Sequence, residues 1–367
     1  MAEIKSRKPA NTAFKQQRLK SWQPLLTPKT VLPTLFIAGI IFAPLGGLFL
    51  YKSETVNEIV IDYTDCDTAG TMERTLSPDL YSYKFTDNST GISIRAPFYK
   101  TSTSDTFLNG LPSNGPVTRC TIQFSIPIEL HPPVFIYYKL NNFYQNHRKY
   151  VKSLSYSQLS GEIITDVEAR ASCNPLAVSP DGKIYYPCGL IANSMFNDSF
   201  SNLLLLNPAN TSNNSTLYNF SSTDIAWPSD RQRYKETQMP AESITPPPNW
   251  VRRYPQYTRD NIFNPQEDEH FQVWMRTSWY PTFRKLYSHY SNGGGVNVPP
   301  LGHGSYQIQV DLNYDIKAYG GTKSIVITGT SFLGNRNAFM GLAYIIMGCV
   351  CALLGVVFLG WHFFKPR

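Results

Sequence analysis

Two apolar runs, Val31–Tyr51 and Ala338–Phe364, limit what this chain can become. Each is long enough to cross a hydrocarbon layer of about 30 Å as a helix, and neither holds an Asp, Glu, Lys or Arg. Between them lies a polar stretch with four cysteines and every N-x-S/T sequon of the chain. The pattern predicts a two-pass membrane protein. Its parts are a basic cytosolic tail over 1–30, a transmembrane helix over 31–51, a lumenal or extracellular domain over 52–336, a second helix over 337–364 and a cytosolic end at 365–367.

Charge orients it. Residues 1–30 carry seven basic side chains (Lys5, Arg7, Lys8, Lys15, Arg18, Lys20 and Lys29) against Glu3 alone, and Lys365 and Arg367 follow the second run. Positive charge is retained on the cytosolic side, so both termini are expected there. Residues 52–335 are close to neutral, with 23 basic and 25 acidic residues. No basic surplus remains in the folded part to neutralise phosphates, and a nucleic-acid partner is excluded. The first run starts too late and is too long for a cleaved leader, which leaves it as an uncleaved signal anchor.

Sequons occur at Asn88, Asn197, Asn210, Asn213, Asn214 and Asn219, all inside 52–336, which points to attached N-linked glycans. Adjacent Asn213 and Asn214 are not expected to be modified together. Cys66, Cys120, Cys173 and Cys188 share that compartment, where disulfides persist. Four cysteines allow three pairings. We favour the sequential one, Cys66–Cys120 and Cys173–Cys188, whose second bridge would close a fifteen-residue loop worth about 3 kcal/mol. None of the four stands at C-x-x-C spacing and no histidine clusters with them, so metal is not expected. Cys349 and Cys351 read as small apolar residues of the second span.

The domain reads as mainly β. Polar and apolar residues alternate over Cys120–Ile126 and Tyr306–Tyr314, the mark of a strand with one buried face. Glu58–Tyr63, Val134–Tyr138 and Lys323–Thr328 are further strands, with the opening and closing ones placed to pair. An antiparallel β-sandwich with long irregular loops and few short helices follows. The best helix is Gln266–Arg276, with Phe271, Trp274 and Met275 on one face.

Catalytic signatures are missing. There is no P-loop, no H-E-x-x-H and no G-x-S-x-G, and the six histidines are scattered. No catalytic residue and no cofactor is expected.

The spans carry small residues instead of polar ones. Gly341, Gly348 and Gly355 recur at seven-residue steps with Ala352 between them, and Gly39, Ala43 and Gly47 recur at four-residue steps. In lipid, small residues let helix backbones approach closely. Either the two spans pack on each other or at least one stripe docks a larger membrane protein. Thr34 is the only hydroxyl well inside the first span, so neither span suits a conduction path.

Several blocks of sequence are more specific. They are Asn11–Leu19 with Trp22-Gln-Pro24 and Val31-Leu-Pro33, then Ile61-Asp-Tyr63, Asn142–Tyr150 and Ile184–Ser199. Pro246–Trp250, Phe271–Arg276, Gly320–Lys323 and Gly334-Asn-Arg336 continue the series. Together they resemble the accessory (beta) subunits of type-IV P-type ATPases, the phospholipid flippases, also called the cell-division-control-fifty or ligand-effect-modulator family. The resemblance covers nearly the whole chain and is weakest over 86–118 and 201–245.

The resemblance implies a non-catalytic subunit in a heterodimer with the ATPase, whose lumenal sandwich covers the ATPase's extracytosolic loops. It implies a role in the ATPase's exit from the endoplasmic reticulum and in its transport cycle. Residence in the endoplasmic reticulum, Golgi, endosome or plasma membrane would follow. It implies the same two disulfides, a shared glycan at Asn197 and a longer C-terminal tail than this chain has. Docking is expected through the small residues of both spans, through the lumenal domain and through Phe14 and Trp22 of the tail. The tail's basic residues would alternatively lie on anionic membrane lipid, at about 1 kcal/mol each. Two other architectures share the topology, a two-span ligand-gated channel subunit and a lumenal cargo receptor. The first wants a polar pore-lining helix and the second a cytosolic sorting tail.

Overall fold

The computed structural model describes residues 9–20, 27–86, 94–108, 112–207, 215–290, 298–331, 334 and 336–365. The chain divides into two units, one holding the residues up to Tyr51 and from Asn337, the other Lys52–Arg336.

The first helix, α1 (Pro28–Glu54), outruns the apolar stretch by three residues at each end. Pro28 takes the first helical position, where its missing N–H forms no intrahelical bond in any residue. Pro33 and Pro44 lie inside it.

Residues 52–336 are built on strands. In chain order these are β1 (Glu58–Asp62), β2 (Arg74–Thr75), β3 (Tyr81–Lys84), β4 (Phe98–Thr106), β5 (Pro112–Ile126) and β6 (Val134–Asn141). The short strands β7 (Ile184–Tyr185), β8 (Ser199–Phe200), β9 (Leu203–Leu205), β10 (Thr216–Tyr218), β11 (Phe220–Ser221) and β12 (Ile244–Thr245) follow. Long strands return as β13 (Phe283–Tyr290), β14 (Gly304–Asp311) and β15 (Thr322–Gly329). The short helices are α2 (Arg148–Val151), α3 (Tyr156–Leu159), α4 (Asp166–Cys173), α5 (Leu190–Asn193), α6 (Pro228–Arg231) and α7 (Glu269–Met275). The chain closes with α8 (Ala338–Phe364), capped by Asn337, whose Oδ1 accepts from the Phe339 amide at 3.0 Å.

One sheet has the order β11-β13-β6-β15-β1-β3 and the other β10-β9-β14-β5-β4-β2, with β8 paired to β14. Both are antiparallel, and the first and last long-sheet strands pair as expected, Ile59 opposite Ile327 and Ile61 opposite Ile325. Alternation decides the facing. Ile136 on β6, Ile122 and Phe124 on β5, and Ile308 and Val310 on β14 turn inward with Ile59 and Ile325 to make one core between the sheets. Cys66 and Cys120 are bonded inside it.

A second core lies under the helices and loops. Trp274, Phe271, Phe143, Trp250 and Phe263 pack ring on ring there, and Cys173–Cys188 bridges its edge. Gly189, next to that bridge, has φ +101°, and a Cβ on it would stand 2.1 Å from the Ser153 carbonyl oxygen. Only glycine fits that approach. The expected helix 266–276 is shorter, because Asp268 caps it and its Oδ1 accepts from the Phe271 amide at 2.9 Å. The strand expected to reach Tyr314 stops at Asp311, because the amides of Asn313 and Tyr314 turn to a side-chain acceptor instead.

Candidate functional site

The small residues of the two spans meet each other. A Cβ on Gly348 would lie 2.7 Å from the Ala43 amide nitrogen, one on Gly341 2.6 Å from that of Leu50, and one on Gly355 3.1 Å from the Phe36 ring. On α1 a Cβ at Gly39 would approach the Gly348 carbonyl at 3.2 Å and the Ala352 methyl at 3.4 Å. Tyr344 edges onto Phe42 and Phe49 beside this seam. The third α1 position is Gly46, where a Cβ would stand 2.8 Å from the Gly341 carbonyl, while a Cβ on Gly47 would meet nothing within 4 Å beyond its own helix backbone. Helical pitch explains the exchange. Eight residues from Gly39 rotate the helix by about 80° off the seam, and seven leave it about 20° away. The stripe is therefore occupied within the chain, and Ile37, Ile40, Gly47 and Leu48 of α1 and Ile346, Val350 and Leu353 of α8 are left bare.

In the β-domain the polar groups that organise the fold are buried. Asp198 is 3 % exposed and accepts four hydrogen bonds. Its Oδ1 takes the amides of Asn313 at 2.6 Å and Tyr314 at 2.7 Å, and its Oδ2 takes the Tyr63 hydroxyl at 3.0 Å and Lys323 Nζ at 2.7 Å. Lys323 Nζ also donates to the Tyr314 carbonyl and lies 5.2 Å from the centre of the Tyr63 ring. Burial first, and then the Asp198 carboxylate, push the Tyr63 phenol well above its ordinary range and keep it a donor. This cluster ties Tyr63 just after β1, Lys323 of β15 and the segment after β14 to the middle residue of the Asn197 sequon.

A second buried cation, Lys285 on β13, forms no ion pair among the described residues. Its Nζ donates to the carbonyls of Val273, Trp274 and Arg276 at 3.1, 2.6 and 2.6 Å, and lies 5.0 Å from the centre of the Trp274 ring. These carbonyls end α7 and have no partner inside the helix, so an ammonium there complements both the bonds and the helix dipole. Burial, and then the nearby Arg276 charge, pull this lysine well below its ordinary value. Trp274 and Trp250 donate their indole N–H groups to the consecutive carbonyls of Ile191 and Ala192 on α5.

The other expected site residues have mixed positions. Both disulfides take the sequential pairing. Asn197 and Asn219 are exposed; Asn88, Asn210, Asn213, Asn214 and Trp22 lie outside the described residues. Phe14 is 76 % exposed. Apart from those expectations, of four aromatic residues near the end of α7 and the start of β13, Trp274 and Phe283 are core residues, whereas Trp279 and Tyr280 stand out from the surface.

Sequence reasoning did not find Asp198, Lys323 or Lys285. Two signals were available. Lys323 falls on the inward parity of its strand with Ile325 and Ile327, and Lys285 shares inward parity with Phe283. A lysine on the buried phase of a strand marks a satisfied ammonium in the core.

A cleft of about 1170 Å³ opens beside Asp198, between β14 and the loops over 249–254 and 260–264. Its walls mix amides and both signs of charge, including Asn197, Arg252, Arg253, Asp260, Gln309 and Asn313. Among the described residues, no three His, Cys, Asp or Glu side chains gather as metal ligands.

The model of the LEM3 (ligand-effect modulator 3) family / CDC50 family matches residues 49–367. The phospholipid-transporting ATPase accessory subunit CRF1 of Saccharomyces cerevisiae is 38% identical, over 99% of this chain and 87% of its own. The phospholipid-transporting ATPase accessory subunit CDC50 of Chaetomium thermophilum is 36% identical, over 98% and 88%. Cell cycle control protein 50A of Bos taurus is 38% identical, over 97% and 89%.

Proposed function

This chain belongs to the LEM3 (ligand-effect modulator 3) family / CDC50 family, and on that premise we propose that it is the non-catalytic accessory subunit of a phospholipid-transporting ATPase. The full-length likeness to relatives named as such subunits carries the reading. The catalytic chain is a separate type-IV P-type ATPase. This subunit is needed for that ATPase to fold, leave the endoplasmic reticulum and complete its cycle, and it carries N-linked glycans on its lumenal side, with both termini cytosolic.

Docking uses the bare faces of the helices. Gly39, Ala43, Gly341, Gly348, Ala352 and Gly355 act indirectly, by holding α1 and α8 together so that a paired apolar surface is presented. Gly47 lies on that outward surface with open space around it, as a contact between helices in lipid requires. The lumenal domain, with Trp279 and Tyr280 exposed on it, and Phe14 and Trp22 of the basic tail add contacts on either side of the membrane.

Purification of the tagged chain in mild detergent tests the reading. A stoichiometric P-type ATPase, active on addition of an aminophospholipid, is the expected companion. A homotrimer without a large partner would return the chain to the channel class.

A further inference from the structure

We infer that the cleft beside Asp198 is the seat of a glycan carried by this same chain on Asn197. The inference rests on the glycoprotein reading above. Asn197 is both an exposed sequon residue and part of the cleft wall, so a sugar attached to it starts at the rim of the cleft. The point of attachment is held. Asp198, the next residue, is fixed by its four bonds, and Asn313 donates its side-chain N–H to the Asn197 carbonyl at 3.3 Å.

The wall chemistry suits a neutral polyol. Carbohydrate hydroxyl and acetamide groups both donate and accept, and Gln309 and Asn313 do the same, while Arg253 and Asp260 offer charged partners of either sign. Tyr254 adds an aromatic surface for the apolar face of a sugar ring. The volume exceeds the roughly 300–1,000 Å³ of small-molecule sites, as an oligosaccharide core needs. Covalent attachment supplies a high effective concentration, so each contact can be weak and the cleft still be filled. Asn219 differs in that its Oδ1 accepts from the Asn202 side chain at 3.1 Å, and it is not part of this wall.

The test uses the full chain from a glycosylating cell, with any partner that copurifies, and site-resolved mass spectrometry. Timed release by an endoglycosidase that cuts the glycan core is followed before and after denaturation. The Asn197 glycan is expected to leave about tenfold more slowly than the Asn219 glycan in the native protein, about 1.4 kcal/mol of protection, and equally fast after denaturation. A Gln309→Ala, Asp260→Ala double variant should speed native release at Asn197 alone, with an unchanged melting temperature. Equal native rates, or protection that the double variant leaves intact, would overturn the seat. An unmodified Asn197 would overturn it by removing the occupant, and would count against the glycoprotein reading at that position instead of against the cleft.

Discussion

Asp198 and Lys323 are 125 residues apart in sequence and 2.7 Å apart in the fold, and both are buried. Two such charges are worth keeping only if each finds its full set of partners. Here the carboxylate takes two amides and a phenol as well as the ammonium. Lys323→Met leaves that carboxylate without its cation and is expected to cost about 3–5 kcal/mol. Combining it with Asp198→Asn should cost less than the sum of the single changes. Thermal unfolding followed by tryptophan fluorescence reads both, and a loss under about 1 kcal/mol for Lys323→Met would deny the pair its structural role.

The bridges differ in the loops they close. Cys66–Cys120 spans 54 residues and Cys173–Cys188 spans 15. Chain entropy gives about 4 kcal/mol for the first and about 3 kcal/mol for the second. Paired Cys→Ser variants should therefore lower the melting temperature in that order, and the reverse order would show that the loop model fails here.

His270 lies against the Tyr287 ring at 4.4 Å between centres. Burial lowers its pKa from the ordinary value of 6.5, with Asp268 and Glu269 opposing and Arg253 adding to the shift. In acid the unfolded chain therefore takes up this proton first. The group's contribution to stability is complete above about 6.5 and is lost as pH falls from there through the folded value. Stability of the parent chain should drop across that interval relative to His270→Gln, measured by denaturant titration at several pH values. Parallel curves would remove His270 from the acid response.

On the helices, Gly348→Leu and Gly47→Leu separate two kinds of contact. The first drives a side chain into the Ala43 backbone and should part α1 from α8, read as loss of a cross-link between cysteines introduced on the two helices. The second meets open space inside the chain. It should leave the cross-link intact and weaken copurification of the ATPase about tenfold or more, on the order of 1.4 kcal/mol. Normal copurification of Gly47→Leu would take the partner contact off that face.

The sequence by itself determined the elements whose signal is local. Uncharged runs longer than a bilayer is thick fix two spans, because unpaired backbone groups cannot exist in lipid. Period-2 alternation over Cys120–Ile126 and Tyr306–Val310 fixes strands with one inward face, because side chains on a pleated strand point alternately to its two sides. The blocks that carried the family resemblance also contain Asp198, Lys323 and Trp274, without revealing what those residues touch.

Tertiary structure decided everything that depends on which distant groups meet. Three carbonyls converge on Lys285 only after α7 has packed against β13, so nothing in the segment Phe283–Tyr290 could announce them. Asp198 ends β14 early by taking two amides that a regular strand would have offered to its neighbours. The same holds for Gly46 in place of Gly47, where the pitch of a real helix, and not the spacing of small residues along the chain, chose the seam. Local periodicity is written in the order of residues, whereas the satisfaction of a buried charge or a close backbone approach exists only once the chain has brought its partners together.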